Sequence, residues 1–172
     1  MSLPWRKFAL SVHVLSSVGW FGAVAAFLAL AVIGLSSADA ATMRAVYVSM
    51  AAITWFVVLP LNGLSLVSGL ISSLGTTWGL FRHYWVLFKL LLTVFATLVL
   101  LVHTRPIGDM ARLAIGGHVL EADARAKLQL IVASAAALLV FVVTTVLSIY
   151  KPRGVTAYGI RKTREVLAMS SR

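Results

Sequence analysis

Cysteine is absent from this chain, and carboxylates are scarce: five Asp and Glu in 172 residues. Without cysteine there are no disulfides, no thiolate metal sites, no iron–sulfur clusters and no covalently attached c-type haem. Charged residues of both signs make up only 12% of the chain, against 60% hydrophobic residues and a mean hydropathy of +0.97. That leaves too little polar surface to clothe an ordinary soluble domain. The few charges are also unevenly placed. Charge-free runs cover 8–38, 45–81 and 128–150, and a fourth, 83–104, is broken only by Lys89. A helix needs about 20 apolar residues to cross the hydrocarbon core, and each run is long enough. The sequence therefore predicts an all-α integral membrane protein: a four-helix bundle over residues 1–150, followed by a basic tail over 151–172.

The formal charge of +10 has a membrane explanation that makes nucleic acid unnecessary as a partner. Counting sides from the N-terminus, one side of the predicted bundle carries Arg6, Lys7, Arg82, Lys151, Arg153, Arg161, Lys162, Arg164 and Arg172, nine in all. The other carries Arg44, Arg105, Arg112, Arg125 and Lys127, five in all. The positive-inside rule then places both termini in the cytoplasm, where the basic tail would meet anionic headgroups. Ala38-Asp39-Ala40 looks like a signal-peptide cleavage site. The apolar run before it, however, far exceeds the roughly 7–15 residues of a signal-peptide core, so a retained helix is expected.

The first span is expected over about 8–35 and the second over 44–74, with Pro60 kinking it. Glycines and small polar residues over 75–79 read as a tight inner turn. The third span is expected over 83–104, stopped by Arg105-Pro106. The outer segment 107–127 has room for a short interfacial helix before Gly116-Gly117, and an acidic turn with Glu121 and Asp123 leads into the fourth span, 127–150.

Lys89 is the costly residue, because an ionisable group at membrane depth marks a functional site by default. His13 follows Lys7 by six positions, about 9 Å along a helix, and Lys89 follows Arg82 by seven, about 10 Å. Both spans run outward, so the two residues fall at similar depth in the inner half, and His13 is the proposed partner of Lys89. Ser16, Ser17 and Trp20 share the His13 face at i+3, i+4 and i+7. Asn62, Ser65, Ser68 and Ser72 on the second span, and Thr144, Thr145 and Ser148 on the fourth, fall in the same half. Each has a plain reading beside the functional one. Small polar residues allow helices to pack closely, a lysine stem can snorkel to the headgroups, and a lone histidine can be a packing residue. His83, His103 and His118 read as interfacial or solvated.

A neutral imidazole is a good haem ligand, and four-helix bundles hold cofactors between facing helices. Trp20 would suit packing against a porphyrin, and Arg6, Lys7 and Arg82 lie where haem propionates could reach. Lys89 could stabilise an anionic group, serve as a second ligand or exchange protons. No second histidine lies at the depth of His13. The candidate copper ligands Met43, Met50, His103, Met110 and His118 show no tight spacing.

The run His13-Val14-Leu15-Ser16-Ser17-Val18-Gly19-Trp20-Phe21-Gly22 resembles the first-helix motif of the HemJ-type protoporphyrinogen oxidases: a histidine followed seven residues later by Trp-Phe and a small residue. Trp85-x-x-x-Lys89-Leu90 resembles that family's third-helix motif. The histidine–tryptophan–glycine opening is also similar to the CopD copper-resistance membrane proteins. Residues 72–82 look closest to an uncharacterised branch of small bacterial membrane proteins. The resemblance covers the first span and the start of the third; segment 107–127 and the end of the second span depart from it. It implies a multi-pass protein of the bacterial cytoplasmic membrane that binds haem b through His13, with Lys89 needed for catalysis. Together with Trp20, Arg82 and Trp85 as cofactor-binding residues, this gives the expected site. The expected function is a redox role in porphyrin or electron-transfer chemistry. The alternatives are a haem-free transport or copper-handling protein, or a non-catalytic subunit of a larger membrane complex. The small-residue faces of the second span suit self-association or such a partner.

Overall fold

Four helices long and apolar enough to cross a membrane build the molecule: Leu3–Ser36, Ala40–Leu74, Tyr84–Ile115 and Ala124–Tyr150. The computed structural model describes residues 3–74, 80–152 and 154–170. The turn expected over 75–79, and Arg153 and Arg172 of the basic tail, lie outside the described residues. An even number of spans returns the chain to the side where it started. We call the end that carries Leu3 and the tail the terminal end, and the opposite one the far end.

Helix α1 (Leu3–Ser36) starts five residues earlier than expected. Pro4 sits in its first turn, where a missing N–H forfeits no helical bond. Its buried residues, Ala9, Ser16, Trp20, Val24, Phe27, Ala31 and Gly34, recur every three, four or seven positions, so one stripe faces the bundle. Near the far end, a Cβ on Gly34 would lie 2.9 Å from the Tyr47 ring, which is why the two helices approach so closely there. The turn to α2 (Ala40–Ile53) is capped by Asp39. Its carboxylate accepts from the Thr42 hydroxyl at 2.6 Å and backbone N–H at 2.8 Å, and from the Ala41 N–H at 3.4 Å.

Pro60 perturbs the second span as expected, and the perturbation takes the form of a π-helical turn. Residues Thr54–Val58 widen before α3 (Leu59–Leu74) resumes, with the Leu59 N–H reaching back five residues to the Thr54 carbonyl. A proline has no N–H for the carbonyl four residues earlier, and widening the helix is one way to absorb the misfit.

The third span corrects the expectation most. Helix α4 (Tyr84–Ile115) runs through Pro106 and continues for nine more residues. An interior proline costs about 3 kcal/mol. The extension, however, buries Ile107, Met110, Ala111 and Ala114, and a large apolar side chain gains roughly 1.5–3 kcal/mol on burial. The packing wins. Of these, Ile107, Met110 and Ala114 join Phe27, Ala31, Met43, Val46, Tyr47, Met50, Val119, Ala122 and Leu130 in one far-end cluster. The separate interfacial helix expected before Gly116 is thus the end of α4. It stops at Gly117, whose φ of 83° is a backbone that favours glycine, with the His118 N–H closing on the Leu113 carbonyl at 3.0 Å. A 3₁₀ turn, Val119–Glu121, leads to α5 (Ala124–Tyr150), capped by Asp123.

Between Tyr84 and Pro106, α4 buries no residue. A second, smaller cluster of Trp20, Val24 and Val58, with Leu61, Leu100 and Phe141 against it, ties the middle of the bundle. The bundle is closed at the far end and open alongside α4 toward the terminal end.

The basic tail has structure of its own. Val155 forms an isolated β-bridge with His83, and the Thr156 N–H and hydroxyl donate to the carbonyls of Arg82 (2.9 Å) and Phe81 (2.5 Å). Thr156 also accepts from the Gly159 N–H, capping α6 (Ala157–Ser170). The backbone groups before α4 need partners, and the tail supplies them.

The Asp39 cap gives a pH test. Hydrogen bonds, that from the Thr42 hydroxyl first, hold this exposed carboxyl below its ordinary range. A folded pKa below the unfolded one means the cap stabilises above the unfolded value, about 3.9, and is lost as pH falls through the folded value. Hydrogen exchange should show the amides of Ala41 and Thr42 protected at pH 7 and released on acidification. Asp39→Ala should release them already at pH 7, and protection unchanged by that substitution would contradict the assignment.

Candidate functional site

The site begins where α1 meets α3. Small residues on α3, Ser65, Ser68 and Gly69, let the two backbones approach. The His13 imidazole fills the space beside Gly69, where a Cβ would lie 2.9 Å from the ring Cε1. The ring is fixed by its Nδ1, 3.0 Å from the Ser65 carbonyl oxygen, with the Ser68 hydroxyl at 3.4 Å. A carbonyl only accepts, so Nδ1 carries the proton and Nε2 is left with its lone pair. The Ser68 hydroxyl itself donates to the Leu64 carbonyl at 2.6 Å, and the Ser17 and Ser65 hydroxyls bond each other at 2.7 Å. Of the serines, whose plain reading was close packing, Ser65 through its carbonyl and Ser68 through its hydroxyl also orient the histidine.

The open side of α4 faces this point. A cavity of about 540 Å³ lies between α1, α4 and α5 with α3 behind it, and His13, Trp20, Trp85 and Lys89 all line it. Its terminal end is polar, with Ser17, Ser65, Thr93, Thr144, Thr145 and Ser148. Farther in it is lined by Val24, Phe27, Val58, Leu130 and Ala137, together with Thr54 and Ser134, whose hydroxyls donate to carbonyls of their own helices. The volume falls in the range of about 300–1,000 Å³ typical of small-molecule and cofactor sites.

Trp20 faces the bundle, 5% exposed, with its ring edge-on to Phe141 at 4.4 Å. Its indole N–H is buried without a hydrogen-bond partner among the described residues. A buried donor left unpaired costs about 1–3 kcal/mol, and here it belongs to a residue that lines the cavity.

Lys89 does not bond His13 as expected. Its ammonium donates to the Ser148 hydroxyl on α5, which in turn donates to the Thr144 carbonyl at 2.7 Å. The Trp85 ring lies 6.0 Å from Nζ, at the limit of a cation–π contact. Ser148 is two residues from the end of α5, so the lysine stem reaches back toward the terminal end while lining the cavity. Snorkelling and a place in the cavity are here the same conformation. The described hydrogen bonds of the two residues go to different helices, His13 to α3 and Lys89 to α5.

Arg82 is outside the cavity lining; its carbonyl holds the tail. His103 lies at the opposite end of the cavity, its Nδ1–H donating to the Val99 carbonyl at 2.8 Å and its Nε2 at 3.3 Å from the Gln129 amide. His118 pairs with Glu121 at 3.2 Å on the surface. Met43, Met50 and Met110, expected to be scattered, come together in the far-end cluster as packing. Among the described residues no three His, Cys, Asp or Glu side chains converge on a point. That bears on a metal held wholly by protein side chains, not on haem, whose iron takes only one or two ligands from the chain. Sequence reasoning missed Gly69, the Ser65 carbonyl and Thr93. The first two could have been sought as the small residue and free backbone acceptor that a buried histidine requires.

No family model, no curated protein and no solved structure matches this chain. Residue geometry therefore carries the functional argument.

The contact between His13 and Gly69 is directly testable. Gly69→Ala should destabilise the detergent-solubilised protein by about 1–3 kcal/mol, as overpacking does. Gly63→Ala on the same helix, where a Cβ meets nothing within 4 Å, should leave the unfolding midpoint unchanged. Equal midpoints for both variants would show that the ring does not fill that space.

Proposed function

We propose that this chain is a protein of the bacterial cytoplasmic membrane that binds one haem b in the slot beside α4, with His13 as axial ligand, and that it serves in porphyrin or electron-transfer redox chemistry. The observation that carries the reading is the commitment of the His13 Nδ1–H to the Ser65 carbonyl. Metal-binding histidines are typically held in this way, the second nitrogen donating to a carbonyl or carboxylate so that the tautomer and ring plane are set. Nε2 makes no hydrogen bond among the described residues, and the residue lines a mostly apolar cavity of cofactor size.

The other residues present fit the same group. Trp20 and Phe141 offer aromatic surface to a flat ring, and the unpartnered Trp20 N–H is a donor awaiting an acceptor. Val24, Val58 and Leu130 keep water from the deeper part of the slot. Lys89 and Trp85 stand at its terminal end. His103 is bound up with Val99 and Gln129 at the far end, so His13 is the single histidine ligand in this reading. Arg82 does not line the slot, and the tail bonds its backbone carbonyl. Bound haem would supply one-electron redox chemistry, tuned by its axial ligand and by the polarity around it.

The orientation follows from charge. Nine of the loop and tail cations belong to the terminal side and five to the far side, which places the termini in the cytoplasm by the positive-inside rule. His13 and Lys89 then lie in the inner half of the bilayer, close to the cytoplasmic face.

Absorption spectroscopy tests the reading. Protein expressed with adequate haem supply and purified in detergent should show a Soret band. His13→Ala should abolish it, while His103→Ala and His118→Ala should keep it. Absence of the band in the unmodified protein, or its survival in His13→Ala, would overturn the assignment.

A further inference from the structure

The slot is polarised in a way that haem ligation by itself does not require. Its one cation, Lys89, has no acidic counterpart in the terminal half of any span. Asp39, Asp109, Glu121 and Asp123 all belong to the far end, and Glu165 is in α6. A charge at this depth is normally matched by a partner. Among the described residues the ammonium has only the Ser148 hydroxyl and, 6.0 Å away, the Trp85 ring. An ammonium has three donors, and Ser148 takes one. The Ser148 proton is itself committed to the Thr144 carbonyl, so the hydroxyl presents its lone pairs to Nζ and fixes its direction.

We propose that Lys89, oriented by Ser148, forms a carboxylate-binding subsite at the terminal mouth of the slot, and that it takes the acidic end of an amphiphilic ligand whose apolar body lies against Trp20, Val24 and Phe141. The arrangement matches such a molecule end to end: the charge is met near the interface, where water can also reach it, and the body is met by apolar side chains. The inference rests on the haem reading for the shape of that body, a flat tetrapyrrole bearing propionates. The carboxylate itself could equally come from a fatty acid.

Three probes separate the sources: metal-free protoporphyrin IX, its dimethyl ester, and oleate, each added to the full-length chain in detergent. Porphyrin binding is read by quenching of tryptophan fluorescence, and oleate binding by calorimetry. The ratio of diacid to diester affinity should be about 10- to 100-fold higher in the unmodified protein than in Lys89→Met, the worth of a charge-assisted hydrogen bond. Comparing ratios cancels the different partitioning of acid and ester into detergent. Ser148→Ala, which keeps the charge, should lower the ratio several-fold and serves if Lys89→Met does not fold.

A Lys89-dependent preference for the diacid without a His13-dependent Soret band would uphold the subsite and remove the haem reading. A His13-dependent Soret band with equal ratios in the two proteins would overturn the subsite and leave the haem reading standing. Oleate binding that is lost in Lys89→Met, with no porphyrin bound, would keep the subsite and name a fatty acid as its source. Binding of none of the three probes would overturn the proposal.

Discussion

The far-end cluster is the constraint on which the other features depend. Helix α4 has 32 residues, roughly 48 Å at 1.5 Å per residue, whereas the hydrocarbon core is about 30 Å thick. Beyond Pro106, Ile107, Met110 and Ala114 pack against Met43, Tyr47, Met50 and Leu130, whereas between Tyr84 and Pro106 the helix buries no residue. Acyl chains are as apolar as the side chains, so in lipid apolar burial alone does not drive two helices together. Helix α4 is therefore held by its far end and left unburied along the rest of its length.

That asymmetry makes room for the slot. Helices α1 and α3 solve their own packing problem separately, through Ser17, Ser65, Ser68 and Gly69, and in doing so fix the His13 ring. Helix α5 contributes Phe141 on one level and Ser148 on another. The resulting cavity has its ammonium toward the terminal end, while the hydroxyls farther in, Thr54 and Ser134, are bonded to carbonyls of their own helices. Polar groups are tolerated in a membrane near the interface or where they are paired.

Much of this was legible beforehand. The four spans follow from charge-free length, and the shared depth of His13 and Lys89 follows from counting residues along two spans of the same direction. Trp20 was expected to face the bundle from its spacing to His13, and it does. The failures have physical causes. Pro106 reads as a stop because the local rule counts the lost hydrogen bond; it does not count the burial that residues 107–114 gain from partners on α1, α2 and α5. The tail reads only as a basic segment because the carbonyls of Phe81 and Arg82 that hold Thr156 are invisible in composition. Lys89 was paired with His13 by depth, whereas its rotamer and the position of α5 gave it Ser148.

The sequence by itself determined that the chain is helical, how many spans it has, and at what height each polar side chain sits, because rise per residue and hydropathy are properties of a single helix. It also determined which ligand classes are closed to it, through the absence of cysteine. Which polar groups meet at a given height was decided only by tertiary structure. That depends on which helices touch and how closely, and here a single missing Cβ at Gly69 and the far-end cluster settled both. His13 is a histidine at a certain depth in the sequence; packing against Ser65 is what makes it an imidazole with one defined nitrogen to offer.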